Sequence, residues 1–218
     1  MPSLKVLIAD DHEIVRRGLR SLLEAEHDCE VVGEAADGRE AVQMAADLKP
    51  DVVILDIGMP ALNGLEATRQ ILKARPETKI LILTMHEADA VIRDVLDAGA
   101  SGYLLKTDAG RDLAAAVEAL RGNKTFFTSR VSQMILAGFL NGDARPSDSA
   151  AGAIRLTPRQ REIVQLLAEG KSSKEVAAVL NLSVKTAETH RANIMRKLDC
   201  HSVSEVVRYA IRNNIISA

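Results

Sequence analysis

The stretch Val52–Gly64, VVILDIGMPALNG, decides the fold. It opens with four consecutive apolar residues and no polar alternation, the pattern of a strand buried on both faces of a parallel sheet. An acidic residue, Asp56, stands at its carboxyl end, and Leu65–Ala74 then has the amphipathic spacing of a helix. The same unit recurs on either side. Lys5–Ala9 (KVLIA) is a first strand, and the helix predicted over His12–Glu24 carries Ile14, Val15, Leu19, Leu22 and Leu23 at helical spacing. Glu30–Ala35 is a second strand, followed by a helix over Arg39–Leu48 with Gly38 beside its start. Lys79–Leu83 (KILIL), a helix over Asp89–Ala98, the short strand Gly102–Leu105 (GYLL) and a helix over Asp112–Arg121 complete the series. Five such units predict an α/β fold, a doubly wound five-stranded parallel sheet.

Further on, the strand signal disappears. Phe127–Leu140 reads as a helix leading outward, and Asn141–Gly152 (NGDARPSDSAAG) has a linker composition. Thr157-Pro158 then opens a helix as N-cap and first-turn proline, with Ile163, Val164, Leu166 and Leu167 on its apolar side and Gly170 at its end. A short helix around Lys174–Leu180, a tight turn at Asn181-Leu182-Ser183, a longer helix from Val184 to Leu198 and a last one over Val203–Asn213 follow. This is a small all-α helix-turn-helix domain. The expected division is residues 1–125, a connecting helix and linker at 126–153, and 154–218.

Charge divides the chain in the same way. From Ile154 onward there are 11 Lys and Arg against 6 Asp and Glu, whereas the preceding part holds 17 against 24. An acidic front and a basic back suit different partners, with a polyanion for the second. Two cysteines, Cys29 and Cys200, have no metal-ligand spacing, which disfavours a disulfide scaffold or a zinc site and suits a reducing compartment. Cys200-His201 lacks any nearby third ligand. Without a signal-length apolar stretch at the start or a membrane-length one elsewhere, a soluble cytoplasmic protein is expected.

Polar residues fall where the predicted strands end: Asp10 and Asp11 after the first, Asp56 after the third, Thr84 after the fourth and Lys106 after the fifth. In a doubly wound sheet the carboxyl ends of the strands border the ligand crevice at the switch in winding direction. With strand order 2-1-3-4-5, three carboxylates, a hydroxyl and an ammonium converge there. Each residue alone fits a bland role, as a helix cap, a solvated charge or a packing hydroxyl; the convergence of all five does not. Clustered carboxylates attract Mg2+, which takes one or two of them together with water and phosphate oxygens. Asp56 is then placed to attack phosphorus, while Lys106 and Thr84 bind the oxygens that carry the transition-state charge. The product is an acyl phosphate.

These residues, with the segment Asp56-Ile57-Gly58-Met59-Pro60, Asn63-Gly64 and Tyr103 three before Lys106, resemble a response-regulator receiver domain, a flavodoxin-like fold, over roughly residues 1–125. The resemblance implies a sensor histidine kinase as phosphate source for Asp56. It implies Mg2+ held by Asp11 and Asp56, assisted by Asp10 and the main-chain carbonyl of Gly58, and a switch in which Thr84 moves toward the phosphate and Tyr103 turns inward. Three positions depart from the common pattern: Gly58 lacks a side chain, Met85 follows Thr84 where a small residue is usual, and Thr107 replaces a frequent proline.

On the helix from Val184 to Leu198, helical spacing puts Val184, Ala187, Arg191, Ile194 and Leu198 on one face, with His190 at its edge. Lys185, Thr189, Ala192 and Arg196 lie opposite, with Glu188 and Asn193 at the flanks. That polar mixture suits a recognition helix in the major groove of double-stranded DNA. Leu156-Thr157-Pro158-Arg159-Gln160-Arg161-Glu162 and the run from Ser183 through Lys185-Thr186-Ala187-Glu188-Thr189-His190-Arg191 to Leu198 are similar to LuxR/NarL-type DNA-binding domains. The resemblance implies base contacts from Lys185, Glu188, Thr189 and Ala192, and backbone contacts from Lys174, Thr186 and nearby groups, with Arg196 on the same face. Val203, Val207 and Ile211 are candidates for the seam of a homodimer on DNA, their plain alternative being core. RNA polymerase is a further candidate partner, and no membrane is expected.

The expected function is therefore a DNA-binding transcription regulator, not an enzyme, switched by phosphorylation of Asp56. An alternative is a phosphatase of the haloacid-dehalogenase type turning over an aspartyl-phosphate. Such enzymes place a second acid two positions after the nucleophile, where this chain has Gly58. No Gly-x-Gly-x-x-Gly or Walker-type loop supports a nucleotide enzyme. A receiver indifferent to phosphate, or a helical domain that binds protein, are the remaining alternatives; the complete set of phosphate-handling groups counts against the first and the basic charge against the second.

Overall fold

The computed structural model describes residues 3–26, 28–85, 87–140 and 156–216; the linker predicted over Asn141–Gly152 lies outside them. Five strands, β1 (Leu4–Ala9), β2 (Cys29–Ala35), β3 (Val52–Asp56), β4 (Lys79–Thr84) and β5 (Gly102–Leu105), form one parallel sheet in the order β2-β1-β3-β4-β5. The helices between them are α1 (Glu13–Glu24), α2 (Gly38–Leu48), α3 (Gly64–Ala74), α4 (Asp89–Asp97) and α5 (Ala109–Arg121). The last begins three residues earlier than its apolar period indicates, because a single 3-10 turn, Lys106–Asp108, runs directly into it.

Period-two alternation within the strands builds a core on each face of the sheet. Leu7, Val53, Leu55, Ile80, Ile82 and Tyr103 face α2, α3 and α4, while Val6, Ile8, Ile54, Leu81, Leu83 and Leu104 face α1 and α5. Two of the residues that gave α1 its apolar spacing stay outside: Ile14 is 87% exposed and Leu22 also faces solvent, so Leu19 and Leu23 alone anchor the helix deeply. Beyond α5 the chain runs along the sheet edge, where the Tyr103 N–H donates to the Phe126 carbonyl at 2.9 Å. It then enters α6 (Ser129–Leu140), whose Val131 and Met134 pack into the core around Tyr103.

The second body is helical: α7 (Pro158–Ala168), α8 (Ser173–Leu180), α9 (Val184–Leu198) and α10 (Val203–Arg212). Thr157 and Gln160 close a capping box on α7, and Ser172 with Glu175 does the same on α8. Asn181 takes a left-handed conformation (φ 52°) to end α8, and Ser183 caps α9 two residues on. That is how three residues turn one helix into the next. Ile163, Leu166, Val176, Ala187, Ile194 and Val206 share the core. Val184, expected on the core side of α9, is exposed: it lies in the first turn, before the helix reaches α7. On α10 the core is filled by Val206 and Ala210, leaving Val203 and Ile211 outward. No described helix is long and apolar enough to cross a membrane.

Candidate functional site

The sheet order brings the ends of β1 and β3 together, and with them Asp10, Asp11 and Asp56. Asp10 is almost wholly buried and Asp56 nearly so. Lys106, the first residue of the 3-10 turn rather than the last of β5, reaches back to bridge them. Its Nζ lies 2.7 Å from Asp10 Oδ2 and 3.0 Å from Asp56 Oδ2. Burial pushes the Asp56 carboxyl above its ordinary value; Lys106 opposes that shift, and Asp10 and Asp11 add to it. Burial also works against the Lys106 charge, but its hydrogen bonds to Asp10 and Asp56 outweigh it and hold the ammonium above its usual range. The Lys106–Thr107 peptide is trans.

Sequence reasoning passed over His12. Its Nδ1 lies 2.7 Å from Asp11 Oδ1 and 3.2 Å from Asp10 Oδ1, and its N–H donates to Asp10 at 2.9 Å. Asp10, Asp11, His12 and Asp56 each offer a ligand atom, all within 4.8 Å of one another. This donor set, mostly hard carboxylate oxygen with two of the acids buried, fits a divalent cation. The Asp-Asp-His run was the available signal, obscured because the two acids already accounted for the site.

Thr84 is buried at the end of β4, and Tyr103, on the edge strand β5, is only 2% exposed and points into the core. Gly58 is half-buried in the loop that leaves β3. The loop runs from Ile57 to Asn63 and is tightly organised. The Leu62 N–H donates to the Pro60 carbonyl at 2.7 Å across Ala61, which has φ 62°: the positive-φ form of the γ-turn, which is strained for a residue with a side chain. Asn63 then caps α3, its Oδ1 accepting from the Glu66 N–H at 2.9 Å.

The same loop touches the helical body, which no sequence pattern indicated. Gln165 of α7 donates to the Met59 carbonyl (3.0 Å) and accepts from the Asn63 N–H (2.8 Å). Glu169 accepts from the Ala61 N–H (3.1 Å), and Asn63 Nδ2 donates to the Ile215 carbonyl (3.1 Å). Crossed ion pairs flank these bonds: Arg161 to Glu66 at 3.0 Å, and Arg39 to Glu162 at 3.2 Å, the latter carboxylate also accepting from Gln70.

On the far side of the helical body Lys174, Lys185, Thr186, Glu188, Thr189, Ala192 and Arg196 are all exposed, and none is covered by the sheet domain. The Thr186 hydroxyl lies 2.7 Å from Ser183 Oγ, and that of Thr189 donates to the Lys185 carbonyl at 2.9 Å. Arg196 bonds Asn193.

Both bodies match known families: residues 6–118 the response regulator receiver domain, and 155–210 the bacterial regulatory proteins of the luxR family. The chain is 39% identical over 216 residues to the transcriptional regulatory protein LiaR of Bacillus subtilis, covering 98% of this chain and 100% of that one. It is 39% identical over 215 residues to the oxygen regulatory protein NreC of Staphylococcus carnosus, covering 98% and 99%. Among solved structures, Salmonella typhimurium RcsB aligns with TM-score 0.63 and 30% identity over 98% of this chain and 99% of that one. The RcsB–DNA complex aligns with TM-score 0.58 and 31% identity over 97% and 98%. A sheet whose strand ends gather the acids and Lys106, a helix-turn-helix after it, and likeness along almost the whole length have one explanation: the chain belongs to the response regulators of the LuxR/NarL type, two-component transcription regulators with a receiver and a LuxR-type DNA-binding domain.

Proposed function

We propose that Asp56 is the phosphoacceptor and that its phosphorylation, by a sensor histidine kinase, controls binding of α9 to the major groove of DNA. The observation that carries this reading is the bridge made by Lys106 between Asp10 and Asp56. It fixes an ammonium beside the carboxylate that is to become phosphorylated. An Asp56 oxygen attacks phosphorus as the bond to the donor's leaving group breaks, and Lys106 and Thr84 take up charge on the phosphoryl oxygens. Asp10, Asp11 and Asp56, with the Gly58 carbonyl, hold Mg2+, which supplies charge neutralisation when bound; His12 stands within reach of the same acids. Thr84 and Tyr103 bias the receiver between two states. The chain divides into a receiver at 1–125, a connecting helix and linker at 126–153 and a DNA-binding domain at 154–218, works in the cytoplasm, and binds DNA as a dimer.

On DNA, Lys185, Glu188, Thr189 and Ala192 face bases, while Lys174, Thr186 and Arg196 face the phosphate backbone. Two classes of variant separate these roles. Lys174→Ala is expected to weaken binding to all duplexes alike and to flatten the dependence of affinity on salt. Glu188→Ala is expected to relax preference at one base pair, an effect of about 1–3 kcal/mol. Fluorescence titration of cognate and scrambled duplexes at several salt concentrations measures both. A Glu188→Ala protein with unchanged preference would remove α9 as the reading element.

A further inference from the structure

We infer that Gln165 of the DNA-binding domain restrains phosphoryl transfer on the receiver, a proposal that rests on Asp56 being the phosphoacceptor. Gln165 is 1% exposed, and both ends of its side-chain amide are used on one loop. Its Nε2 donates to the Met59 carbonyl and its Oε1 accepts from the Asn63 N–H, three and seven residues after Asp56. A side chain here does what a neighbouring strand would do: it pairs both polar senses of the backbone and so holds the loop's shape. Glu169, just past the end of α7 and one turn on from Gln165, bonds the Gln165 amide at 2.8 Å and accepts from the N–H of Ala61, the residue with left-handed backbone. The strained turn therefore has its N–H held by the other domain.

What this clasp controls follows from what the docked arrangement leaves open. The polar face of α9 is exposed while α7 grips the receiver, so docking does not act by covering the DNA-reading side chains. It acts on the receiver. Phosphorylation replaces the single charge of a carboxylate that shares Lys106 with Asp10 by about −1.5 to −2 on the phosphoryl group, directly before the clasped loop. The clasp fits the loop as it stands before phosphorylation; where phosphorylation reshapes that loop, linkage makes the contact disfavour the phosphorylated state and makes phosphorylation loosen the contact by the same factor at equilibrium. Gln165 thus connects the chemistry at Asp56 to the freedom of the DNA-binding domain without passing through α9.

The test uses the full-length chain with Mg2+ and acetyl phosphate, following the initial rate and steady-state extent of phosphorylation by intact mass, with thermal unfolding alongside. Gln165→Leu keeps the side-chain volume and removes both bonds. It is expected to raise the steady-state ratio of phosphorylated to unphosphorylated chain at limiting acetyl phosphate about three- to tenfold, the range supplied by one or two ordinary hydrogen bonds. Glu169→Ala, at a half-buried position, is expected to raise it in the same direction and carries the test if Gln165→Leu does not fold. Loss of the DNA-binding domain's fold would release the loop as well, so a rise counts only where thermal unfolding shows that domain intact. Steady-state extents equal to or below wild type in folded variants overturn the role of Gln165. A wild-type chain that takes up no phosphate fails differently, overturning the reading of Asp56 itself.

Discussion

Asp56→Asn is expected to bring phosphate incorporation from acetyl phosphate to background and to leave the fold intact. The amide keeps the shape of the side chain and removes its nucleophilic oxygen, while Lys106 retains Asp10 at 2.7 Å as its partner. The variant should also be more stable than wild type at neutral pH in chelator. Burial raises the Asp56 pKa in the folded chain, so the ionised form is disfavoured there relative to the unfolded chain. Wild-type stability is thus fully present below the ordinary carboxylate value of 3.8 and falls as pH rises from there through the higher folded value. Asn has no such dependence, so the gap in melting temperature opens between acid and neutral pH. Thermal unfolding across that range checks the sign; a gap that closes toward neutral pH contradicts it. Retained phosphorylation would move the acceptor to Asp10 or Asp11.

Gly64→Ala should be severely damaging for so small a substitution. A Cβ there would lie 2.0 Å from the Asp56 carbonyl oxygen and 3.1 Å from Ile57 Cα. The backbone cannot retreat, because the Gly64 N–H donates to the Ile57 carbonyl at 2.9 Å. Either α3 moves or the end of β3 moves, and Asp56 sits at that end. The expected cost is about 3 kcal/mol, at the upper end for overpacking, together with loss of phosphorylation. Urea denaturation of the full chain measures the first and intact mass the second. Gly18→Ala in α1 and Gly110→Ala in α5 are the controls, since an added Cβ meets nothing within 4 Å at either site. Both should stabilise slightly, by about 0.5–1 kcal/mol, through helix propensity. A Gly64→Ala chain as stable as those controls would contradict the packing described for the loop.

The sheet was legible because its strands are short runs of unalternated aliphatic residues, a pattern that only burial on both faces explains. The order of strands comes from the doubly wound class, and it is that order which brings Asp10 and Asp56 together. Residues near the helix ends were harder to place. Ile14 and Val184 have apolar side chains at helical spacing, yet both lie in a first turn that projects beyond the body it packs on, so periodicity assigned them to cores they do not reach. His12 was hidden by its neighbours. Gln165, Glu169, Glu162 and Arg161 could not have been found at all: a polar residue on an amphipathic helix reads as solvated until the partner surface is known. Their partial or full burial is the result of a contact between residues about a hundred positions apart, and local sequence carries no record of it.

The central claim, that chemistry at Asp56 sets binding by α9, is tested most directly by selecting duplexes from a random pool with the full-length chain. Selection would be run with and without Mg2+ plus acetyl phosphate, and in parallel with Asp56→Asn. Enrichment of one sequence that strengthens with the phosphodonor in wild type, and does not change in Asp56→Asn, is the predicted result. Enrichment that is equally strong with and without the phosphodonor would contradict it, leaving a DNA-binding protein whose receiver answers to something other than phosphate.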